Sequence, residues 1–294
     1  MIVAVASGKG GTGKTTVAAS LTKVWAGPVQ AVDMDVEEPN LHLFLKPELT
    51  GRETARLPVP LADQAKCTAC RACAEICQFK AITVLAGYVM TFPDMCHGCG
   101  GCTAVCPEGA ITEDYRELGE VLWGRSGEID FLMGRLRIGE AMSPPLMRAV
   151  WQRVDRIGDV IVDAPPGVSC PAIAAVWPAD VILLVSEPTP FGFHDLKLAR
   201  AAFAPLDKPM GVVVNRAGLG DEALYEYCRE TDLPILLEIP FDRRIAEAYA
   251  QGLVIAEARP EYRQGFLDLA GRVRDLAGRV RDLAAAPLLE ARHA

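Results

Sequence analysis

Eight of the ten cysteines fall between Cys67 and Cys106 in two copies of one spacing, Cys-x2-Cys-x2-Cys-x3-Cys, and the second copy ends in Cys106-Pro107. The copies are Cys67, Cys70, Cys73, Cys77 and Cys96, Cys99, Cys102, Cys106, with Ala81-Ile82 following the first where Ala110-Ile111 follows the second. This is the ligand spacing of two [4Fe-4S] clusters. Three thiolates on one tight loop reach three irons of a cube only if the backbone curls around it, which the small residues Thr68, Ala69, Ala72, Gly98, Gly100 and Gly101 permit. In this motif the fourth cysteine of each run serves the other cluster. The expected ligand sets are therefore Cys67, Cys70, Cys73, Cys106 and Cys96, Cys99, Cys102, Cys77. Gln78 stands where a proline often follows. Structural zinc would want four ligands in two pairs, and disulfides are unexpected in a chain with no secretory signal.

A second centre of chemistry lies at the N-terminus. An apolar run, Ile2 to Ala6, leads into Ser7-Gly8-Lys9-Gly10-Gly11-Thr12-Gly13-Lys14-Thr15-Thr16, after which a helical pattern begins. Strand, glycine loop and helix in that order form a phosphate-binding loop. The glycines let backbone N–H groups face phosphate oxygens, and the helix N-terminus adds its positive end. Lys14 is expected to reach the β- and γ-phosphates and Thr15 to give a hydroxyl to Mg²⁺, so ATP and Mg²⁺ are the expected ligands of residues 8–16.

The early lysine, Lys9, makes the loop similar to the deviant Walker A loop of the superfamily that contains MinD, ParA and the nitrogenase iron protein. The resemblance implies that Lys9 crosses a nucleotide-sandwiched homodimer interface to the partner's phosphates. Asp33-Met34-Asp35 with Pro39-Asn40 resembles that superfamily's first switch, which implies that Asp35 positions the attacking water and Asp33 assists the magnesium shell. Val160-Ile161-Val162-Asp163 with Ala164-Pro165-Pro166-Gly167 resembles its Walker B and second-switch segment, with Asp163 on magnesium. Asn215-Arg216 and Pro240-Phe241-Asp242 resemble the adenine-contacting elements, which implies roles for Asn215, Arg216, Pro240 and Asp242. The resemblance narrows to MinD-type P-loop ATPases with an inserted ferredoxin domain, with further likeness at Leu136 to Glu140 and Glu187-Pro188-Thr189.

These sites need elements to hold them. Apolar runs near 2–6, 29–33, 159–163, 180–185, 210–214 and 235–239 alternate with helical patterns near 14–26, 144–156, 192–204, 221–231 and 243–251. That alternation predicts an α/β fold with a mostly parallel, doubly wound sheet, interrupted by a bacterial-type ferredoxin module. The expected division is an ATPase domain from 1–61 and 115–260, the two-cluster module at 62–114, and an amphipathic helix and tail at 261–294. Phe266, Leu269, Val273, Leu276, Val280 and Leu283 form a narrow apolar stripe on that helix. Its other face mixes arginines with Asp275 and Asp282, a pattern that suits packing on the core or a partner better than a membrane surface.

Half of the 294 residues are apolar and the net charge is −8, which argues against a nucleic-acid-coating surface. No apolar run is long enough to span a bilayer, and the first core strand begins almost at residue 1, so a cytoplasmic protein without a transit peptide is expected. Cys228 reads as filler. Cys170 lies seven residues after Asp163, the offset at which the nitrogenase iron protein places a ligand of its bridging cluster, yet one thiol per chain is too few for a cube and packing is expected. Three functions compete: a slow, dimer- or partner-stimulated ATPase that gates electron transfer to a redox partner, an iron-sulfur cluster carrier or assembly ATPase, and a MinD-like positioning or partner-recruiting switch. Eight thiolates for two cubes leave no labile site, which favours the first.

Overall fold

The computed structural model describes residues 1–285, with side-chain surroundings through Gly278. β1 (Ile2–Ala6), α1 (Lys14–Val24), β2 (Val29–Asp33) and α2 (Leu41–Leu45) open the chain. A long strand β3 (Glu48–Ala62) then carries the chain out to the cysteine-bearing segment, which contains α3 (Ala72–Ile76), the hairpin of β4 (Ile82–Leu85) and β5 (Tyr88–Thr91), and α4 (Gly101–Ala104). β6 (Ile111–Ser126) returns along β3 and β7 (Ile129–Leu136) re-enters the body. The rest alternates as α5 (Pro144–Gln152), β8 (Asp159–Asp163), α6 (Cys170–Val176), β9 (Val181–Ser186), α7 (Pro190–Phe203), β10 (Met210–Ala217), α8 (Ala223–Glu230), β11 (Ile235–Pro240), α9 (Arg243–Ala250), α10 (Ile255–Ala258) and α11 (Pro260–Ala285).

Nine strands form one sheet in the order β11-β10-β9-β1-β8-β2-β7-β6-β3. It is parallel from β11 to β7 and antiparallel from β7 to β3. The parallel strands read as unbroken apolar runs because both faces are covered. On one face Val3, Val5, Ala31 and Ile161 pack with Leu21 of α1, Phe44 of α2 and Phe266 of α11. On the other, Ala4, Val32, Val162 and Leu184 pack with Leu146 of α5, Leu196 and Phe203 of α7, and Leu224 and Cys228 of α8. Burial raises the Cys228 thiol to about 11, so it is an inert core group.

The β3–β6 ribbon was not expected from the sequence. Inward residues alternate at Ala55, Leu57 and Val59, but Pro58 lies between the last two and Pro60 follows them. The prolines are tolerated because β3 is the outermost strand of the sheet.

The C-terminal stripe packs on the core. Phe266, Leu269 and Val273 are buried against the β-sheet together with Ala270 and Ala277, which widen the stripe beyond the larger apolar residues. Leu276 is half-buried beside them, whereas Val280 and Leu283 fall outside the described side chains. Arg274 lies over the Trp25 ring at 4.4 Å, fixing the helix against the base of α1. No helix among the described residues is long and apolar enough to cross a membrane.

Candidate nucleotide site and cysteine cavities

The glycine loop joins β1 to α1 at the C-terminal edge of the parallel sheet. Gly11 and Gly13 adopt φ of +76° and +98°, a region in which a Cβ is strained. At Gly8 a Cβ would collide with the carbonyl of Asp195 in α7, and at Gly13 with the Asn215 amide. Asn215 Nδ2 donates to the Thr12 carbonyl at 2.8 Å, so the end of β10 braces the loop. The loop borders a cleft of about 540 Å³, within the range of ligand sites. Gly10, Gly11, Gly13, Lys14, Thr15, Thr16, Asp35, Asn215, Arg216, Pro240 and Asp242 all line this cleft. Asn40, Pro166 and Phe241, from the switch and base-side motifs, line it as well, whereas sequence reasoning missed Glu38, Ile245 and Tyr249 in its wall.

Beneath the cleft lie three carboxylates and one ammonium. β2 and β8 are parallel neighbours with Asp33 opposite Asp163, and both acids are buried. Asp33 accepts from Leu41 N at 2.9 Å and Asp35 N at 3.1 Å, so it shapes the loop between β2 and α2. Asp163 is hydrogen-bonded to Thr15, while its Oδ1 is buried with no partner. Desolvation first, then the Asp163 charge, pushes Asp33 well above the ordinary carboxylate range. Desolvation likewise raises Asp163, and it raises Asp35 to about 6. Lys14 is lowered by its own desolvation, against which Asp163 and Asp35 act. An unpaired acid oxygen beside the Thr15 hydroxyl is the donor set that a hard cation such as Mg²⁺ takes.

Lys9 is not in the cleft of the single chain. Its Nζ bonds Glu187 at 2.6 Å, and the same buried carboxylate takes Arg216 at 2.7 Å. Arg216, with φ of +55°, also donates to the Gly11 carbonyl at 3.4 Å. Gly8 and Thr12 complete the loop behind the cleft wall; the Thr12 hydroxyl is buried without a partner. Cys170 is exposed at the start of α6.

The other cysteines surround two separate cavities. Cys77, Cys96, Cys99 and Cys102 line one, with Pro58, Val59, Phe79 and His97. Cys67, Cys70, Cys73 and Cys106 line the other, with Val84, Val89 and Ile111. Each run therefore lends its fourth thiol to the cavity of the other. Amides point at the sulfurs in matching places: Ala69 N to Cys67 at 3.4 Å and Gly98 N to Cys96 at 3.4 Å, Ala81 N to Cys77 at 3.3 Å and Ala110 N to Cys106 at 3.2 Å. The left-handed positions match as well. Ala69, Arg71 and Lys80 in the first copy correspond to Gly98, Gly100 and Gly109 in the second, all with φ between 55° and 70°. The first copy adopts the same curl without glycine, at a cost of about 1–2 kcal/mol per residue.

Burial raises the Cys73 and Cys102 thiols; at Cys106 burial is the largest single effect, but the backbone N–H groups of Ala110, Ile111, Glu108 and Gly109 together outweigh it and lower the thiol. Among the described residues no three His, Cys, Asp or Glu side chains converge on a single metal ion, as zinc would require with sulfurs about 3.8 Å apart. Four thiols on the walls of each cavity, with amides donating to sulfur, could hold a polynuclear iron-sulfur group.

Comparison with known proteins adds the lineage of the scaffold. Residues 3–255 match the CobQ/CobB/MinD/ParA nucleotide binding domain. An uncharacterized protein of Methanocaldococcus jannaschii is 30% identical over 263 residues, covering 86% of this chain and 90% of its own. An uncharacterized ATP-binding protein of the same organism is 27% identical over 265 residues, covering 88% and 81%. Among solved structures, the cell division ATPase MinD of Pyrococcus furiosus is similar with a TM-score of 0.58 at 22% identity, over 94% of this chain and 98% of its own. MinD of Pyrococcus horikoshii complexed with Mg-ADP gives 0.57 at 20% identity, over 95% and 97%. At these identities the solved structures establish the fold.

The buried acids set a pH dependence. An acid with a raised folded pKa is penalised when charged, so these groups favour the metal-free fold most below their unfolded value of about 4 and progressively less as pH rises through their folded values, about 6 for Asp35. Mg-ATP must displace those protons. Calorimetry in two buffers of different ionisation enthalpy is expected to show more proton release on Mg-ATP binding at pH 6 than at pH 8, with the excess reduced in Asp35→Asn. Equal release at both pH values, or an excess untouched by the substitution, would show that these acids are already ionised.

Proposed function

The chain belongs to the CobQ/CobB/MinD/ParA nucleotide-binding family, and from that premise we propose that it is a cytoplasmic, dimerising Mg-ATPase whose nucleotide state gates electron transfer through two [4Fe-4S] clusters in an inserted ferredoxin module, residues 62–114. The observation that carries this reading is the pair of cavities, each lined by four cysteines with the fourth exchanged between the runs. The clusters, when bound, supply one-electron redox chemistry. Complete four-thiol sets leave no open coordination position, which favours electron transfer over cluster delivery. The proposed partners are a second copy of the chain and a redox protein.

In this reading Lys14 meets the β- and γ-phosphates, Thr15 and Asp163 hold Mg²⁺ with Asp33 behind them, and Asp35 orients the attacking water. Nucleotide contacts come from residues 8–16 and from Asn215, Arg216, Pro240 and Asp242 at the base side. Lys9 is bonded to Glu187 in the single chain, so its proposed passage to the partner's phosphates begins by leaving that carboxylate. The net charge of −8 supports no nucleic-acid role. Mg-nucleotide is supported by the lone buried oxygen of Asp163 and by the Mg-ADP complex of the Pyrococcus horikoshii relative.

Anaerobic preparations are expected to contain about eight irons and eight sulfides per chain. Cys77→Ser should damage the centre held by Cys96, Cys99 and Cys102 and spare the other by electron paramagnetic resonance. Stoichiometric zinc without charge-transfer absorption, or loss confined to the centre of the first run, contradicts the assignment.

For the nucleotide site, Lys14→Ala should abolish ATP binding, whereas Lys9→Ala should bind ATP and lose dimer-dependent hydrolysis. Sedimentation with a non-hydrolysable analogue decides the point. A wild type that stays monomeric at saturating nucleotide removes the role of Lys9 across the interface.

A further inference from the structure

The two cavities are not equally placed. The one holding Cys96 and Cys99 lies against Pro58 and Val59 of β3, nearer the body of the sheet. The one holding Cys67 and Cys70 lies at the tip of the ribbon, where Ala62 pairs with Ile111, beside β4 and β5. Among the described residues, the nearer loop is the one tied to the segment that follows β7. Arg116 on β6 donates through Nη2 to the Cys96 carbonyl at 3.4 Å. The same guanidinium is held by both oxygens of Glu140, Nη2 to Oε1 at 3.2 Å and Nη1 to Oε2. Both side chains are almost buried, 9% and 4% exposed. Gly98, two residues after Cys96, packs so closely on Leu57 that a Cβ there would collide with it.

Glu140 sits in a segment fastened at both ends to the loop that carries Asp35. Leu136 N donates to the Val36 carbonyl at 2.8 Å, and Ser143 Oγ donates to Glu37 Oε1 at 3.0 Å. Gly134 approaches the Val36 side chain so closely that a Cβ would clash. Residues 136–143 therefore bridge the two places: their ends hold residues 36 and 37, and their middle holds the Cys96 loop through Arg116.

We propose that Arg116 and Glu140 are positioning residues that make the Cys96 loop, and not the Cys67 loop, follow the nucleotide. A buried ion pair tolerates little displacement, because separating the partners leaves a desolvated charge without compensation. When the γ-phosphate draws Asp35 and Val36 inward, Leu136 and Glu140 move with them, and Arg116 follows Glu140 and carries the Cys96 carbonyl. The identity of what the cavity holds rests on the function proposed above; the mechanical link does not.

The test is hydrogen exchange, read by mass spectrometry, on the full chain with and without a non-hydrolysable Mg-ATP analogue, both in the thiol form and after anaerobic loading with iron and sulfide. Nucleotide is expected to change exchange in residues 94–100 about fivefold or more, and in residues 67–73 much less. Arg116→Lys keeps the pair with Glu140 and gives up the bond to the Cys96 carbonyl. It should bind nucleotide as the wild type does and lose the response at 94–100. A double variant, Arg116→Met with Glu140→Gln, removes both charges together and serves if the single variant folds poorly. An equal response in both loops, no response at 94–100, or a response preserved in these variants overturns the inference. Iron content of the same wild-type sample separates the two claims: a Cys96 loop that responds in a chain that takes up no iron upholds the link and sinks the cluster reading.

Discussion

Two carboxylates on adjacent parallel strands, Asp33 and Asp163, face each other inside the protein. Like charges so placed and desolvated cannot both be ionised without a cation, and much of the surrounding architecture answers that demand. The glycine loop sets Lys14 beside Asp163 and Asp35, Thr15 bonds Asp163, and Leu41 and Asp35 give backbone N–H groups to Asp33. Asp33 spends its oxygens on the loop leading to α2, so the acid pair and the first switch form one unit. Whatever neutralises the acids also sets that loop.

The insertion acquires its mechanical meaning from where its base is attached. The chain leaves the core just after α2 and comes back as β7, the parallel neighbour of β2. Ser126 Oγ donates to the Leu45 carbonyl, and Leu136 N donates to the Val36 carbonyl. Both ends of the ribbon are thus fastened beside the first switch, one at α2 and one at Val36. In the proposed coupling this antiparallel pair carries a change at its base toward the cysteine cavities.

The sequence was most legible where chemistry restricts residue type at fixed spacing. The glycines of the phosphate loop and the acids at the ends of β2 and β8 gather around one cleft, and the cysteine runs line two cavities. Sequence reasoning failed where the determinant is long-range. The grip of Glu187 on Lys9 joins residues 178 apart, and nothing near either one announces it. β3 was hidden by its prolines and polar outer face, and it exists because β6 pairs with it. In α11 the larger apolar residues indicated a narrow seam, and only the contacts of Ala270 and Ala277 reveal a broader packed face. Ile245 and Tyr249 reach the cleft through the positioning of α9, which no local pattern specifies.

The central claim is that ATP and the electron occupy one coupled system, and coupling between sites must be reciprocal. The direct measurement is a potentiometric titration of the anaerobically loaded protein with and without saturating Mg-ATP analogue, paired with ATP affinity of the oxidised and the dithionite-reduced forms. The account predicts that one midpoint potential moves by about 40 mV or more, equivalent to a fivefold change in affinity for a one-electron couple, and that ATP affinity changes on reduction by the same factor. Identical potentials together with redox-independent ATP affinity would contradict it and leave the cysteine-bearing segment a passenger on the ATPase.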